Sequence, residues 1–359
     1  MIISDALRYE VGVELTEQLL RETKGSAKIS SMQAVFPSVT KCGMAALLPH
    51  RELQLTDDCA VLCDGESADG TANREKVLSK AHPGSIAITY RSLLPMKQAE
   101  RREKVSGAGV VYIYHNAIDA VGNKAATEDQ VFNACDQAIL ELKNLVRLIV
   151  NDMRGANILI TADHGFLYSY KPLEENDKAE KSFIDGHIAE LDRRYVLAEG
   201  TCTAEHMLMI PMSHLGSDLV GLTPMDYIRI KKQGGGMNYV HGGISLQEAV
   251  VPVIEFKNMR AGSKNFVDVK KAALQLISQS RKVSNRFSLW ISIKESRSAE
   301  KLYLQLMIST WPMLPEKQSA IPRRSLQTKP ATTARSACSE RDLPSRVLIS
   351  RRPKHITCW

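Results

Sequence analysis

Aspartate and histidine side chains recur where predicted strands end or helices begin. They are common ligands of Zn²⁺ and Mn²⁺, because carboxylate oxygens are hard donors and imidazole nitrogens are borderline ones. Such side chains occur at four places, namely Asp5, the pair His115 and Asp119, the pair Asp163 and His164, and His241. Six ligands are enough for two ions, which can hold the attacking and the leaving oxygen of a displacement at phosphorus. The set therefore predicts a two-metal site that cleaves phosphoesters.

Each of these residues alone has an ordinary structural explanation. Asp5 could cap the helix that follows it, and His115 and Asp119 could form a pair on one helical turn. His241 alone is equally compatible with packing. The segment 163–165 is stronger evidence, because two adjacent ligands after a buried strand are a poor choice for packing. The prediction rests on the order and spacing of the whole set.

Thr40 is the candidate nucleophile. It lies in the stretch 36–43 (FPSVTKCG), in which the proline and Gly43 predict a turn that leads into a helix. Backbone N–H groups at a helix start can contact a bound phosphate. A bound metal ion activates a threonine hydroxyl, which is otherwise a weak nucleophile. On local evidence alone, a threonine that caps the helix is the simpler interpretation.

Apolar strands and amphipathic helices alternate along most of the chain. A turn-rich stretch follows the first helix, which has apolar residues at every fourth position. The last predicted helix begins at Ser245 with a capping box. Further strands are predicted at 85–90, 109–114, 157–161 and 250–256, and a long helix at 131–149. This alternation predicts an α/β fold with a largely parallel sheet and helices on both faces. In such sheets, functional groups gather at the carboxyl ends of the strands.

Two regions interrupt this rhythm. Residues 170–235 mix charged stretches with short strands, which predicts an insertion or lid over the site. From about residue 290 the apolar periodicity fades, and Ser, Arg, Pro, Lys and Thr dominate. We therefore expect a folded domain over 1–289 and a basic, low-order tail over 290–359. A non-native stretch from an altered reading frame is the alternative for this tail.

Charge is distributed unevenly between these two parts. The tail carries 13 Lys or Arg and 5 Asp or Glu, so the whole-chain totals of 47 and 40 leave 34 and 35 for residues 1–289. The body is thus close to neutral and gives no compositional argument for binding nucleic acid.

The cysteines, the apolar runs and the N-terminus indicate the cellular compartment of the protein. Seven irregularly spaced cysteines indicate reduced thiols rather than a disulfide framework or a thiolate zinc site. No apolar run approaches the roughly 20 residues that cross a bilayer, and the N-terminus lacks the features of a secretory signal. We therefore expect a cytoplasmic protein without a membrane partner.

The motifs resemble those of the alkaline phosphatase superfamily, and most closely the PglZ family of BREX phage-defence systems. The resemblance spans residues 2 to about 256 and implies an alkaline-phosphatase-like fold. The segments that carry it are 2–10 (IISDALRYE), 36–40 (FPSVT), 114–119 (YHNAID), 161–165 (TADHG) and 239–243 (YVHGG).

The resemblance also implies roles for the matching residues. One ion, zinc or manganese, would be held by Asp5, Thr40, Asp163 and His164, with Thr40 as nucleophile, and the other by His115, Asp119 and His241. Arg8 is a candidate phosphate contact, with a surface ion pair as the alternative. In the superfamily an aspartate commonly precedes a histidine by four residues, whereas here His115 comes first.

This chain also departs from the PglZ pattern at its start. PglZ proteins carry a long region before this domain, and only residues 1–4 precede Asp5. We therefore expect an N-terminally truncated domain in which Asp5 is held loosely.

The preferred function is a phosphatase or phosphodiesterase of a BREX system that uses two metal ions and a phosphothreonine intermediate. Its expected partners are a phosphoester substrate, other BREX proteins and DNA. One alternative is a catalytically impaired PglZ domain that binds protein or nucleic acid. Another is a phosphomutase of the same superfamily.

Overall fold

The computed structural model describes residues 1–259, except 172, 181–183, 201–202, 205–206 and 235–237, and the backbone of three strands between 287 and 327. The chain divides into two compact units, Met1–Val269 and Lys270–Trp359. The candidate site residues all belong to the first unit.

The first part of this unit alternates strands and helices. In chain order these are β1 (Ile2–Ser4), α1 (Tyr9–Glu22), β2 (Gly25–Gln33), α2 (Thr40–Ala46), β3 (Leu53–Leu55), β4 (Val61–Cys63), β5 (Glu66–Ser67), α3 (Gly70–Ala81), β6 (Ile86–Thr89), α4 (Tyr90–Leu93), α5 (Gln98–Lys104), β7 (Val111–His115), α6 (Asp119–Gly122), α7 (Val131–Asn151) and β8 (Asn157–Thr161).

The second part consists mainly of short strands. These are β9 (Leu167–Tyr168), β10 (Lys178–Ala179), β11 (Ile184–Asp185), β12 (Ile188–Leu191), β13 (Val196–Ala198), β14 (Thr203–Ala204), β15 (Met207–Pro211), β16 (Val220–Pro224), β17 (Arg229–Ile230) and β18 (Tyr239–Val240), followed by α8 (Leu246–Ala249) and β19 (Val250–Asn258).

A six-stranded sheet in the order β2-β19-β8-β1-β7-β6 forms the centre of the unit. Strands β6, β7, β1 and β8 are parallel, whereas β19 is antiparallel to both β8 and β2. The predicted α/β fold is confirmed, with a mixed sheet in which one strand runs against the other five. Because β1, β7 and β8 point the same way, the residues after them meet at one edge.

Helices cover both faces of this sheet. On β1, Ile2 packs into the core that contains the apolar stripes of α1 and α7, whereas Ile3 packs on the other face against Met44 of α2. Side chains alternate along a strand, so adjacent isoleucines serve opposite faces. Gly12 lets α1 approach the sheet closely, since a Cβ there would lie 2.5 Å from Pro252 Cβ.

Two local features differ from the sequence-based expectation. The stretch expected to be turn-rich forms β2, a nine-residue strand that pairs with β19 along its full length. Strand β1 is short, as predicted, but it lies inside the sheet and pairs with a neighbour on each side.

The predicted insertion contains its own four-stranded antiparallel sheet in the order β12-β13-β16-β15. Tyr195, Leu197 and Met212 of this region pack against Val39 and Cys42 at α2. Among the described residues, the four cysteines Cys42, Cys59, Cys63 and Cys135 are free and buried.

The second unit contains a three-stranded antiparallel sheet of β20 (Phe287–Ile293), β21 (Leu304–Thr310) and β22 (Leu326–Gln327). The predicted boundary between residues 289 and 290 falls within β20. The rest of the predicted tail lies outside the described residues. In the described part of the chain, no helix combines the length and apolar character needed to span a membrane.

Candidate metal centre

Two groups of metal-binding side chains meet at the carboxyl edge of the central sheet. One consists of Asp5, Asp163 and His164, and the other of Asp119, His164 and His241. Within each group, one ligand atom from every residue lies within 4.8 Å of the others. His164 belongs to both groups, so the two candidate sites are neighbours. Five of the six predicted ligands are therefore brought together from four separate segments of the chain.

The first group is buried and rich in negative charge. His164 Nε2 lies 3.5 Å from Asp5 Oδ1 and 3.5 Å from Asp163 Oδ2. Both of these oxygens are buried and lack a hydrogen-bond partner among the residues that the structure describes. Burying a carboxylate without a partner is costly. A divalent cation would satisfy both oxygens, so the donor set fits a metal ion.

The same burial changes the acidity of these carboxyl groups. Loss of solvation raises the pKa of Asp5 well above its ordinary value, and the charges of Asp163 and Asp119 add to this. Burial likewise raises the pKa of Asp163 to about 7. Perturbed carboxyl groups gathered at one sheet edge are a feature of functional sites.

The backbone fixes Asp5 in a tight turn. Asp5 N donates to His115 O at 2.8 Å, and Leu7 N donates to Ser4 O at 3.2 Å. Between them, Ala6 has the left-handed φ of 60°, which is uncommon for a residue other than glycine. Ala6 N donates to Asp163 Oδ1 at 3.3 Å and thereby joins the turn to the next strand end. The expectation that Asp5 is held loosely considered strand length alone and left out these contacts.

His164 presents one defined nitrogen to the site. Its Nδ1 lies 2.8 Å from the Gly165 carbonyl oxygen, which can only accept, so Nδ1 carries the hydrogen. Burial lowers the pKa of His164, which favours the neutral ring. The lone pair is then on Nε2, and Thr40 Oγ1 lies 3.1 Å from it as a hydrogen-bond donor. Thr40 is therefore in contact with the first group.

The second group is organised by ring stacking and one tyrosine. The His241 ring stacks on His164 with centroids 4.3 Å apart, and its Nε2 lies 3.7 Å from Asp119 Oδ1. Tyr239 OH donates to the same Asp119 oxygen at 3.0 Å. His241 Nδ1 lies 3.3 Å from Ser38 O, so Nε2 is again the free nitrogen. Burial, followed by the nearby His164, lowers the pKa of His241.

The structure does not bring His115 into either group. Its Nδ1 lies 2.9 Å from Ser4 Oγ, and its Nε2 lies 2.9 Å from Glu141 Oε2. Both ring nitrogens are therefore engaged beneath the site. Burial lowers the pKa of His115. The geometry gives no support to the predicted ligand role of this residue.

Arg8 lies beside the His164 loop. It is buried, pairs with Glu10 at 2.5 Å, and places its guanidinium carbon 5.0 Å from the centre of the Phe166 ring. Its predicted contact with phosphate stays a prediction. The alternative, an ion pair, is present with the partly exposed Glu10, although the Arg8 side chain itself is buried.

Several residues that support the site were not singled out from the sequence. Tyr239 and Ser38 contact Asp119 and His241, and a buried ion pair joins Arg194 to Glu248. Glu248 did have a sequence signal as part of the predicted capping box, and Ser245 N donates to its Oε2 at 3.2 Å. No local pattern marks Arg194, because its partner lies more than fifty positions away.

Similarity to known proteins extends over the unit that carries these residues. The family model described as BREX system PglZ alkaline phosphatase-like domain matches residues 1–256. A Bacillus cereus (strain H3081.97) protein named alkaline phosphatase-like protein PglZ is 43% identical over 289 residues, which are 79% of this chain and 33% of that protein. The alkaline phosphatase-like protein BrxZ of Escherichia coli O9:H4 (strain HS) is 38% identical over 273 residues, covering 72% of this chain and 30% of that protein.

The chain thus spans about a third of the length of these curated relatives. Among solved structures, murine ectonucleotide pyrophosphatase/phosphodiesterase 5 is similar with a TM-score of 0.45 and 9% identity. That similarity covers 70% of this chain and 86% of the murine one.

Proposed function

This chain belongs to the PglZ family of BREX alkaline phosphatase-like domains, and we propose from that premise that it is a metal-dependent phosphatase or phosphodiesterase. The observation that carries the proposal is the pair of buried carboxylate oxygens on Asp5 and Asp163, which have no hydrogen-bond partner among the described residues and lie beside Thr40 and His164. Two like charges held this close, away from water, are unfavourable unless one carboxyl group is protonated or a cation binds between them.

The donor set indicates which residues would hold the ions. Asp5, Thr40, Asp163 and His164 would hold one, and Asp119 and His241 would contribute to the other. Carboxylate and imidazole donors suit zinc, with manganese as the alternative. When bound, such ions supply positive charge to the phosphate oxygens and favour deprotonation of a coordinated hydroxyl.

Thr40 is the proposed nucleophile. Its Oγ1 lies 3.1 Å from His164 Nε2, among the residues that would hold the first ion. The hydroxyl first loses its proton to solvent. Oγ1 then forms a bond to phosphorus while the bond to the leaving oxygen breaks, the leaving oxygen takes up a proton from water, and Thr40 becomes a phosphothreonine. Water then releases phosphate and restores the hydroxyl. His241 and Asp119 lie beside His164, where they would contribute to the second ion.

The biological setting is also part of the proposal. A PglZ domain would act with other BREX proteins in defence against phage, on a phosphoester that DNA or another molecule supplies. Because the chain spans only about a third of its relatives, partner and substrate selection by the remainder of such proteins has to be tested separately.

The first test combines metal content with turnover. We expect the wild-type chain to bind about two divalent ions and to hydrolyse aryl phosphate mono- or diesters. Thr40→Ala should abolish turnover while the second ion and most of the affinity for the first remain, because the other ligands are unchanged. Thr40→Ser is the matched control and should keep part of the activity, since it retains a hydroxyl.

Each alternative has its own outcome in this test. Absence of bound ions in the wild-type chain would indicate a binding module, and transfer of phosphate within a substrate without release would indicate a mutase. An unchanged rate in Thr40→Ala would exclude Thr40 and leave water as the attacking group.

A further inference from the structure

A fully buried ion pair lies behind the candidate site. Arg194 and Glu248 are 1% and 0% exposed, and Arg194 Nη2 lies 3.0 Å from Glu248 Oε2. Arg194 Nε also donates to Glu248 Oε1 at 3.1 Å, so the contact is bidentate. Arg194 precedes β13 in the insertion, whereas Glu248 lies in α8, directly after the loop that carries His241. The pair therefore joins the insertion to a ligand loop.

Glu248 also holds the backbone of that loop. Gly243 N donates to Glu248 Oε1 at 2.9 Å, and Ser245 Oγ donates to Oε2 at 2.6 Å. The packing leaves no spare room, since a Cβ on Gly243 would lie 2.8 Å from Glu248 Oε2 and 2.9 Å from Arg194 Nε. The position of the loop two residues after His241 is thus set by one carboxylate.

The same loop is tied to the segment that carries the nucleophile. Ser38 Oγ donates to Gly243 O at 2.7 Å and accepts from Gly242 N at 3.1 Å. Ser38 lies two residues before Thr40, and its carbonyl oxygen contacts His241 Nδ1. A displacement of Gly243 would therefore be passed both to His241 and to the start of α2.

Helix α8 contacts the His164 loop by a separate route. Gly165 N donates to the backbone oxygen of Glu248 at 2.8 Å, and a Cβ on Gly165 would lie 2.1 Å from Gln247 O. These contacts use backbone atoms alone. A change of the Glu248 side chain should therefore affect the His241 loop much more than the His164 loop.

Contacts in the insertion complete the environment of the ion pair. Arg194 Nη1 donates to Asp226 O at 2.7 Å and to Ile228 O at 2.5 Å, and Thr223 Oγ1 donates to Arg194 O at 2.8 Å. Burying an ion pair costs solvation, and apolar replacements are often equally stable. A geometric task therefore explains the pair better than stability alone.

We propose that Arg194 and Glu248 are positioning residues, which fix the His241 loop against the Thr40 segment and thereby set the affinity of the Asp119–His164–His241 group for a divalent ion. The inference rests on the proposed function, because it assumes that this group binds metal. It also assigns a role to the insertion, which acts as a fixed support for the site.

The test is a titration of metal-free protein with Mn²⁺ alone. Calorimetry and the electron paramagnetic resonance signal of free manganese measure the number of bound ions and their affinities. Wild-type protein should bind two ions. Glu248→Gln keeps the shape of the side chain but cannot accept all of its hydrogen bonds. The variant should bind the ion of the Asp119–His164–His241 group about 10–100-fold more weakly, while its affinity for the other ion is unchanged. Asp5→Asn should instead lower the affinity for the ion of the Asp5–Asp163–His164 group.

Glu22→Gln is the matched control, because Glu22 on α1 pairs with Lys143 on α7 at 2.9 Å. This variant should leave both metal affinities unchanged. Circular dichroism establishes that each variant is folded at the titration temperature. Should Glu248→Gln fail to fold, Ser38→Ala removes the same connection at its other end and should weaken the same ion.

The outcomes separate the inference from the proposed function. Two ions in wild type with unchanged affinities in folded Glu248→Gln and Ser38→Ala would overturn the positioning role alone. Equal weakening of both ions would also overturn it, because that is the result of a general loss of structure. Absence of metal binding in wild type would overturn the proposed function and this inference together.

Discussion

At the scale of single residues, the first metal-binding group buries negative charge in the metal-free chain, which is unfavourable. Asp5 and Asp163 are 3% and 2% exposed, and each has a carboxylate oxygen without a hydrogen-bond partner among the described residues. His164 between them is kept neutral by burial and offers only a lone pair. Arg74 offsets part of the charge of Asp5, and a bound cation would offset the rest, so the carboxylates favour metal binding at the expense of the stability of the metal-free fold.

We therefore predict that Asp163→Asn stabilises the metal-free protein. Asparagine keeps an oxygen for the hydrogen bond from Ala6 N and removes the buried charge. Because burying a charge is costly, its removal should raise the free energy of unfolding at pH 8 by about 1–3 kcal/mol. Denaturant unfolding in the presence of a chelator measures this change.

The control for this substitution is Asp152→Asn. Asp152 pairs with Arg101 near the surface at 2.8 Å, so the same chemical change there should cost up to about 1 kcal/mol. Lower stability of Asp163→Asn than of wild type would show that the carboxylate is compensated within the protein.

A second prediction concerns His115. His115→Asn should leave two bound ions, because His115 contacts Ser4 and Glu141 and lies outside both groups. Loss of the contact with Glu141 should lower the free energy of unfolding by about 1–2 kcal/mol. Asp119→Asn is the comparison and should lose one ion. Metal analysis of the two variants tests this prediction. Loss of one ion in His115→Asn would support the predicted role of His115 as a ligand.

His115 and Asp119 also show what spacing alone cannot resolve. Both follow the same apolar run, so both were predicted to be ligands. In the structure His115 is the last residue of β7, and Asp119 is the first residue of α6. Four residues that cross from a strand to a helix do not place two side chains on one face. The side-chain direction depends on where the strand ends, and sequence patterns determine that boundary poorly.

At the scale of secondary-structure elements, the close approach of α2 to Asp163, in the segment after β8, positions Thr40. Gly43 makes this approach feasible, because a Cβ there would lie 2.4 Å from the Asp163 backbone oxygen. Thr40 begins the helix and is only half-buried, so its hydroxyl remains accessible beside the ligand groups.

Gly43→Ala should therefore displace α2 from Asp163. Backbone atoms cannot yield as a flexible side chain can, and we expect a loss of about 1–3 kcal/mol in the free energy of unfolding, together with weaker metal binding. Gly109→Ala is the matched control, since nothing lies within 4 Å of a Cβ at that position. Equal stability of the two variants in thermal unfolding would contradict this account of the helix contact.

The central elements were predictable because their apolar patterns are long or continuous. Strand β8 has the predicted bounds, and α7 extends the predicted helix at its C-terminal end. Strand β2 was missed because it is an edge strand with few large apolar residues, and its pairing with β19 comes from a segment more than two hundred positions away. Such pairing is a tertiary effect, and local propensity does not report it.

At the scale of the whole molecule, the site is assembled from segments between residues 5 and 241. Each segment follows a different strand or loop, and the insertion contributes Arg194 behind them. Metal binding would connect these segments only in the folded state. Free metal at about 100 times its dissociation constant adds about 2.7 kcal/mol to folding stability for each independent site. The metal-loaded domain should therefore be the more stable form, although its metal-free core is strained by charge.

The last prediction is the pH dependence of this strain. Several groups of the metal-free chain titrate with opposite effects. Burial lowers the pKa of the Met1 amino group to about 6 and also lowers the pKa of His164 and His241, so these groups make the fold more stable as pH rises toward their ordinary values of 8.0 and 6.5. Asp163 has the reverse effect, because its pKa in the folded chain is raised from 3.8 to about 7.

A comparison of wild type with Asp163→Asn reports the contribution of the carboxyl group together with its effect on Asp5, whose pKa the charge of Asp163 raises. Below about pH 4 the carboxyl group is protonated in the folded and the unfolded chain, so the two proteins should be nearly equal in stability. Between about pH 4 and 7 the unfolded chain releases its proton first, and the wild type loses stability relative to Asp163→Asn as pH rises. Above about pH 7 the difference should be constant. Denaturant unfolding of chelator-treated protein at one-unit pH intervals measures it, and a difference that does not change with pH would show that Asp163 is ionised at no cost in the metal-free fold.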